Sequence, residues 1–382
     1  MSLSIELYIH IPYCIRKCVY CDFNSYADRY RRDGETYFRA LKRELKWRAA
    51  AYGKTSPYSI RSVFIGGGTP SVADTKEILS IMRCIFDWYS IEDQAEITIE
   101  TNPGTIDHEK CRAYYQAGIN RLSLGFQSLD DEILQAMGRI HSSEKAVRAY
   151  SDAVDSGFEN INIDLMLGFP GQRPAVFEKT LAKVIQLRPQ HISAYSLLVE
   201  EGTALARRIA QGAMQEPGQE EDRQMYRTAC QWLPAAGYER YEVSNFALPG
   251  FASIHNLGYW TGVPYLGVGL GAASYLEGIR FRNTEDMEQY LKGTPEEETD
   301  RDSVEILSKK DRMDEFMMLG FRLAKGPDPQ AFWQRFGQRY DQVYTEPLKR
   351  LEEQGLIQRL GRGYCLSEKG LDYGNLVFEE FV

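Results

Sequence analysis

A chain of 382 residues, with 43% hydrophobic and 26% charged side chains, is long enough for two or three domains around a large core. It has no apolar run of membrane-spanning length and no charged-then-apolar start, so a cytoplasmic protein is expected. A net charge of −9, with no basic cluster denser than Arg29, Arg31 and Arg32, argues against a nucleic-acid partner.

In chain order, β-rich runs are predicted over 5–11, 62–65, 96–101, 121–126, 160–165 and 191–196. Helical stretches lie between them, for example over 34–52, 75–89, 143–156 and 174–187. Strand–helix alternation implies parallel strands covered by helices, as in a barrel or an open part of one. The strands alternate in polarity: Glu96, Thr98 and Glu100 share one face, as do Asn162 and Asp164, Ser123 and Gln127, and His191 and Tyr195. A polar interior of this kind fits a partly open barrel with a cofactor inside; an antiparallel sheet with one wet face is the plainer alternative.

The pattern changes after Leu205. Residues 206–225 are polar and helical, broken at Pro217-Gly218, and 238–283 are rich in Gly, Tyr and Asn without a helical period. A helix over 348–356 ending at Gly355, then a hairpin over 359–366, resembles a winged-helix module. The acidic stretch Glu296–Glu298 favours packing or protein contact over DNA for that module. The expected architecture is α/β: a partial (β/α)6 barrel over 1–205, an α+β extension over 206–300 and a winged-helix-like module over 301–382.

Three of the seven cysteines fall within eight residues, Cys14, Cys18 and Cys21, spaced C-x3-C-x2-C. A secreted disulfide framework is a poor fit, and clustered thiols point to a metal. Structural zinc takes four ligands, and no fourth Cys or His follows at a suitable distance. A cubane on three thiolates keeps one iron open for a ligand. Gly66-Gly67-Gly68-Thr69-Pro70 follows the second strand, either as a plain turn or as a place where backbone approaches a ligand. Glu100, Gln127 and Asp164 lie on the polar faces, and Arg139 follows the fourth strand with a fork suited to a carboxylate. Any one of these four is equally at home as a structural polar residue.

The cysteine spacing, with Tyr20 before the last Cys, is similar to the signature of radical S-adenosylmethionine (SAM) enzymes. The resemblance implies a [4Fe–4S] cluster on the three cysteines, with SAM on its open iron and reductive cleavage to an adenosyl radical. It extends along nearly the whole chain to the oxygen-independent coproporphyrinogen oxidase group. The segments that carry it are Tyr8 with His10-Ile11-Pro12, Gly66 to Ser71, Glu100-Thr101-Asn102-Pro103-Gly104, Gly125-Phe126-Gln127-Ser128, Gly138-Arg139-Ile140-His141, and Asn162-Ile163-Asp164 with Gly168-Phe169-Pro170-Gly171. Residue by residue it implies SAM contacts from Tyr8, Tyr20, Gly67, Gly68, Thr69, Glu100, Gln127, Arg139 and Asp164.

Two departures count against decarboxylase activity. Phe23 stands where true coproporphyrinogen dehydrogenases have a further Cys, and thirteen residues precede Cys14 where they have a longer arm. His255-Asn256-Leu257-Gly258-Tyr259-Trp260 instead resembles the H-N-x-x-Y-W motif of the HemW heme chaperone branch. That likeness implies heme as a further ligand, His255 as its axial residue and a hemoprotein recipient, membrane-associated ones included. An electron donor would be needed if SAM is cleaved, and a homodimer is compatible with this branch. The alternative for His255 is structural, with its neighbours pinning the Gly-rich segment to the barrel mouth. The rival functions are propionate decarboxylation of coproporphyrinogen III and radical chemistry on another substrate.

Overall fold

The computed structural model describes residues 3–216, 218–294 and 299–382. β1 (Leu3–Ile11) leads into a loop with two short strands, β2 (Tyr13–Cys14) and β3 (Tyr26–Ala27). β4 (Tyr58–Gly67), β5 (Ile91–Thr101), β6 (Arg121–Gln127), β7 (Ile161–Leu167) and β8 (His191–Ser196) then run parallel with β1 in one sheet. The helices Tyr30–Tyr52, Thr75–Trp88, His108–Gln116, Ser143–Asp155 and Pro174–Leu187 lie between these strands in the chain.

The alternation decides which face meets which partner. Leu7, Ile9, Val63, Ile65, Ile97, Ile99, Leu122 and Leu124 join Leu41, Ile81 and Phe177 of the helices in one apolar core. Burying each such side chain contributes about 1.5–3 kcal/mol. The other face carries Glu6, Ser62, Glu96, Thr98, Ser123, Asn162 and His191, all buried inside the curved sheet.

Beyond β8 the helices Ala204–Ala210 and Gln219–Ala235 flank the expected break, of which Pro217 lies outside the described residues. The stretch without helical period contains β9 (Glu239–Arg240), β10 (Asn245–Ala247), β11 (Tyr265–Val268), β12 (Ala273–Leu276) and β13 (Ile279–Asn283). It also contains an eight-residue helix, Ile254–Thr261, that the sequence pattern did not announce. With β14 (Thr299–Ile306) the sheet has twelve strands in the order β14-β13-β12-β11-β1-β4-β5-β6-β7-β8-β10-β9 and stays open between β14 and β9. β11 continues the parallel part beside β1, while the strands outside it on both edges are antiparallel. The acidic stretch Glu296–Glu298 lies outside the described residues.

The C-terminal region has its own apolar core, centred on Met317, Phe321, Phe332, Leu351 and Val377. Its helix Thr345–Glu353 ends before Gly355, which has φ +70, and the hairpin of β15 (Ile357–Leu360) and β16 (Gly363–Leu366) follows. Ala324 N–H donates to the Tyr241 carbonyl at 2.9 Å and Arg227 reaches Asp372 at 2.8 Å, joining this region to the sheet. Among the described residues no helix is long and apolar enough to cross a membrane.

Candidate cofactor site

The loop after β1 is held at several points by groups far away in sequence. Val19 N–H donates to the Met137 carbonyl at 3.1 Å, and the Val19 carbonyl accepts from Leu205 N–H at 2.7 Å. Val19 itself is buried among Ile133, Met137, Met166, Phe169 and Leu205. Tyr20 meets Phe169 edge to face at 6.4 Å between ring centres. These contacts turn Cys14, Cys18 and Cys21 onto one wall of a cavity of about 430 Å³. It opens at the C-terminal ends of the parallel strands, where βα barrels place their chemistry.

The glycine turn after β4 supplies the next wall. Gly68 N–H donates to the Ile11 carbonyl at 2.9 Å, and Thr69 N–H to the Tyr13 carbonyl at 2.7 Å. A Cβ on Gly68 would come within 2.8 Å of the Tyr13 carbonyl oxygen. Gly67 has φ +112, and a Cβ there would meet the His10 ring at 2.6 Å. Only glycine allows this approach. Thr69 Oγ1 lies 3.5 Å from the Cys14 sulfur.

The polar strand faces complete the cavity. Glu100 accepts from Gly67 N–H at 3.2 Å, and burial, then the neighbouring Asp164, push its carboxyl up to about 8. Asp164 accepts from Ser123 Oγ at 3.0 Å and from Asn162 Nδ2 at 2.7 Å. Gln127, in the left-handed region at φ 65, accepts from the Tyr195 hydroxyl at 2.5 Å. Arg139 follows Gly138, whose φ of +81 ends the helix Asp131–Met137. Its Nη2 donates to the Gly125 carbonyl at 2.6 Å and its Nη1 to the Cys18 sulfur at 3.5 Å, while the buried Nε has no partner among the described residues.

Of the site residues expected from the sequence, Cys14, Cys18, Cys21, Tyr20, Gly67, Gly68, Thr69, Glu100, Gln127, Arg139 and Asp164 all line this cavity. Tyr8 and His255 do not. Tyr8 lies beneath the floor, its hydroxyl 3.0 Å from His10 Nδ1 and its ring against Phe64. His255 is 1% exposed on the helix Ile254–Thr261, inside the N-terminal half of the barrel. Its Nδ1 is 2.9 Å from Ser62 Oγ, its Nε2 is 3.2 Å from the Tyr259 hydroxyl, and its ring stacks on Phe64. Burial, then the positive charges of Arg121 and Arg61, depress its pKa to about 3. Both nitrogens are therefore engaged in the core, and an iron ligand here would have to displace Ser62 or Tyr259.

Some contributors were not picked out as site residues from the sequence. Leu197, Leu198 and Glu200, after β8, line the cavity from a segment without regular period. Glu96 accepts from Ser253 Oγ at 3.0 Å and from the backbone N–H groups of Ile254 and His255, both at 3.1 Å. It thereby anchors the helix that bears His255; the polar alternation of β5 was the only signal of its inward direction.

Residues 8–184 match the radical SAM superfamily and residues 307–373 the HemN C-terminal domain. A protein of Lactococcus lactis named heme chaperone HemW is 34% identical over 98% of this chain and 96% of its own length. The protein of the same name in Bacillus subtilis is 35% identical over 98% of each chain, and that of Escherichia coli is 32% identical over 99% and 98%. The chain belongs to the HemW family of radical SAM proteins. A solved structure of Escherichia coli coproporphyrinogen III oxidase HemN, described as a radical SAM enzyme, covers all of this chain and 90% of its own, with a TM-score of 0.85 and 23% identity. That likeness is one of fold.

Radical SAM membership implies a [4Fe–4S] cluster and SAM, and the cavity fits both. Among the described residues no three His, Cys, Asp or Glu side chains gather as a site for a single metal ion. Thiolates that serve separate irons of a cubane need not converge in that way. Burial raises the thiol pKa of Cys14 and Cys21, so an iron centre is needed to hold them as thiolates. The glycine cradle and the unpartnered Arg139 Nε beside it suit a small zwitterion.

Proposed function

We propose that this chain is a cytoplasmic heme chaperone, binding heme and passing it to a hemoprotein, membrane-associated recipients included. The observation that carries the reading is end-to-end similarity to relatives named for that function, at 32–35% identity. In this proposal Cys14, Cys18 and Cys21 would hold the cluster, and the same cavity would take SAM beside it. Gly67, Gly68 and Thr69 offer backbone groups to the methionine part of SAM, and Arg139 pairs with its carboxylate. Glu100 and Asp164 accept hydrogen bonds from hydroxyl or ammonium groups, and Tyr20 and Gln127 close the walls. Tyr8 acts one layer below, through His10. The cluster and SAM then serve structure or regulation, including control of homodimer formation, and an electron donor enters only if SAM is cleaved. The chain divides into a barrel over 1–205, an extension over 206–300 and a C-terminal module over 301–382.

The test is a heme titration of anaerobically reconstituted protein, read by absorption, with His255→Ala beside the parent. Saturable binding with a Soret shift supports the reading; its absence overturns it. Loss of the shift in the variant would assign the iron to His255. Retention would leave His255 with the core role its contacts favour. Coproporphyrinogen turnover under reducing, anaerobic conditions would instead favour the decarboxylase, whose fold this chain shares.

A further inference from the structure

A second cavity, of about 580 Å³, lies between the end of β8 and the C-terminal helices. Tyr195, Ser196 and Leu198 line it and the cofactor cavity alike, so their occupants are one layer of side chains apart. Its rim is apolar: Leu198 is 71% exposed and Leu376 51%, an unusual outlay of large aliphatic surface at one opening.

Its walls carry two arginines, Arg223 and Arg322, beside two acids, Asp222 and Asp372. Arg223 stacks on the Tyr373 ring at 4.8 Å, and Arg322 lies over Phe378 at 4.6 Å with its buried Nε unpartnered. Neither arginine forms an ion pair among the described residues. Of the acids nearby, Asp372 is paired with Arg227 at 2.8 Å; Asp222 bonds Ser196 and feels the charge of Arg223, its buried Oδ1 having no hydrogen-bond partner among the described residues; and Glu242 feels that of Arg322. Apolar sides with two guanidinium forks select a flat apolar body that carries carboxylates.

We infer that this cavity binds a flat, carboxylate-bearing ring, its faces against Leu198, Leu376 and Phe378 and its carboxylates toward Arg223 and Arg322. The inference rests on the heme-chaperone reading, which makes the ring a porphyrin. A competing cavity of about 410 Å³ behind Tyr259 and Trp260 shares no wall with the cofactor cavity; of its three arginines Arg280 is paired with Glu305 and Glu315, while Arg312 donates to the Ser308 carbonyl and Arg335 to the Gly262 carbonyl.

The experiment is a hemin titration of the full chain, with Arg223→Ala, Arg223→Lys, Leu376→Glu and Arg312→Ala compared with the parent. Arg223 and Leu376 are surface positions, and circular dichroism checks that the variants fold. Arg223→Ala and Leu376→Glu are expected to raise the Kd for heme about tenfold or more, with Arg223→Lys between. Arg312→Ala, in the competing cavity, is expected to leave it unchanged, and SAM affinity to stay constant throughout. Parent-like heme affinity in both Arg223→Ala and Leu376→Glu, or a loss that follows Arg312→Ala instead, overturns the assignment while the chaperone reading stands. A parent that binds no heme overturns both.

Discussion

Arg139 reaches a backbone carbonyl with one end of its guanidinium and the Cys18 sulfur with the other, which leaves Nε as its spare donor. Arg139→Ala is therefore expected to weaken SAM binding about tenfold to a hundredfold, with the iron–sulfur absorption intact. Unchanged affinity in a calorimetric titration would return the residue to a structural role. Glu6 works on the opposite side of the barrel. Burial raises its carboxyl from 4.5 to about 8, against the lowering effect of Arg61 at 3.8 Å. The folded chain thus keeps a proton that the unfolded chain has lost, and stability falls as pH rises from 4.5 through 8. Well above pH 6.5 His255 contributes no opposing slope, because it is then neutral in the folded and the unfolded chain alike. Glu100, also raised to about 8, adds a slope of the same sign, so Glu6→Gln should lessen the pH dependence in that window without abolishing it, as measured by denaturant unfolding at several pH values; an unaltered slope would remove Glu6 as a source.

The helix Ile254–Thr261 shows what kind of element escapes a reading of sequence. It has eight residues with a glycine inside, too short and too weak in propensity to stand alone. Its N-terminus is satisfied by Glu96, 157 residues away from Ser253, a partner that no local pattern reveals. Gly258 is needed because a Cβ there would run into the buried Glu6 carboxylate. By contrast, His191–Ser196 and Pro174–Leu187 were legible to the residue, since period and flanking breakers coincide there. The cavity walls were legible because alternation on parallel strands fixes direction. Tyr8 and His255 lie outside the cavity walls, because a shared motif gives identity without depth. Glu96→Ala is expected to cost about 3 kcal/mol, because it strips three hydrogen bonds from the helix start and leaves Arg121 buried without its acid. Chemical denaturation followed by tryptophan fluorescence measures this, and a cost near zero would mean the helix is held from elsewhere. Gly68→Ala should cost about 1–3 kcal/mol, since the Tyr13 backbone cannot yield as a side chain would. A variant as stable as the parent would show that the turn can relax.

Among the described residues the two larger apolar cores lie one under the sheet and one in the C-terminal region, and a smaller cluster surrounds Val19. Phe332→Ala should remove about 3–5 kcal/mol from the second while leaving iron–sulfur absorption in place. Loss of the absorption together with the C-terminal core would mean that the two are one cooperative unit. The cysteine loop carries a different consequence. Its shape is fixed by Met137, Leu205 and the apolar seat of Val19, all independent of iron. A zinc finger is made by its metal, whereas this loop has backbone and apolar anchors besides its cysteines. Iron delivery can then be a late step in biogenesis, acting on a chain already folded. Chelation should empty the seat without collapsing it, and the same molecules should accept a new cluster when iron and sulfide return.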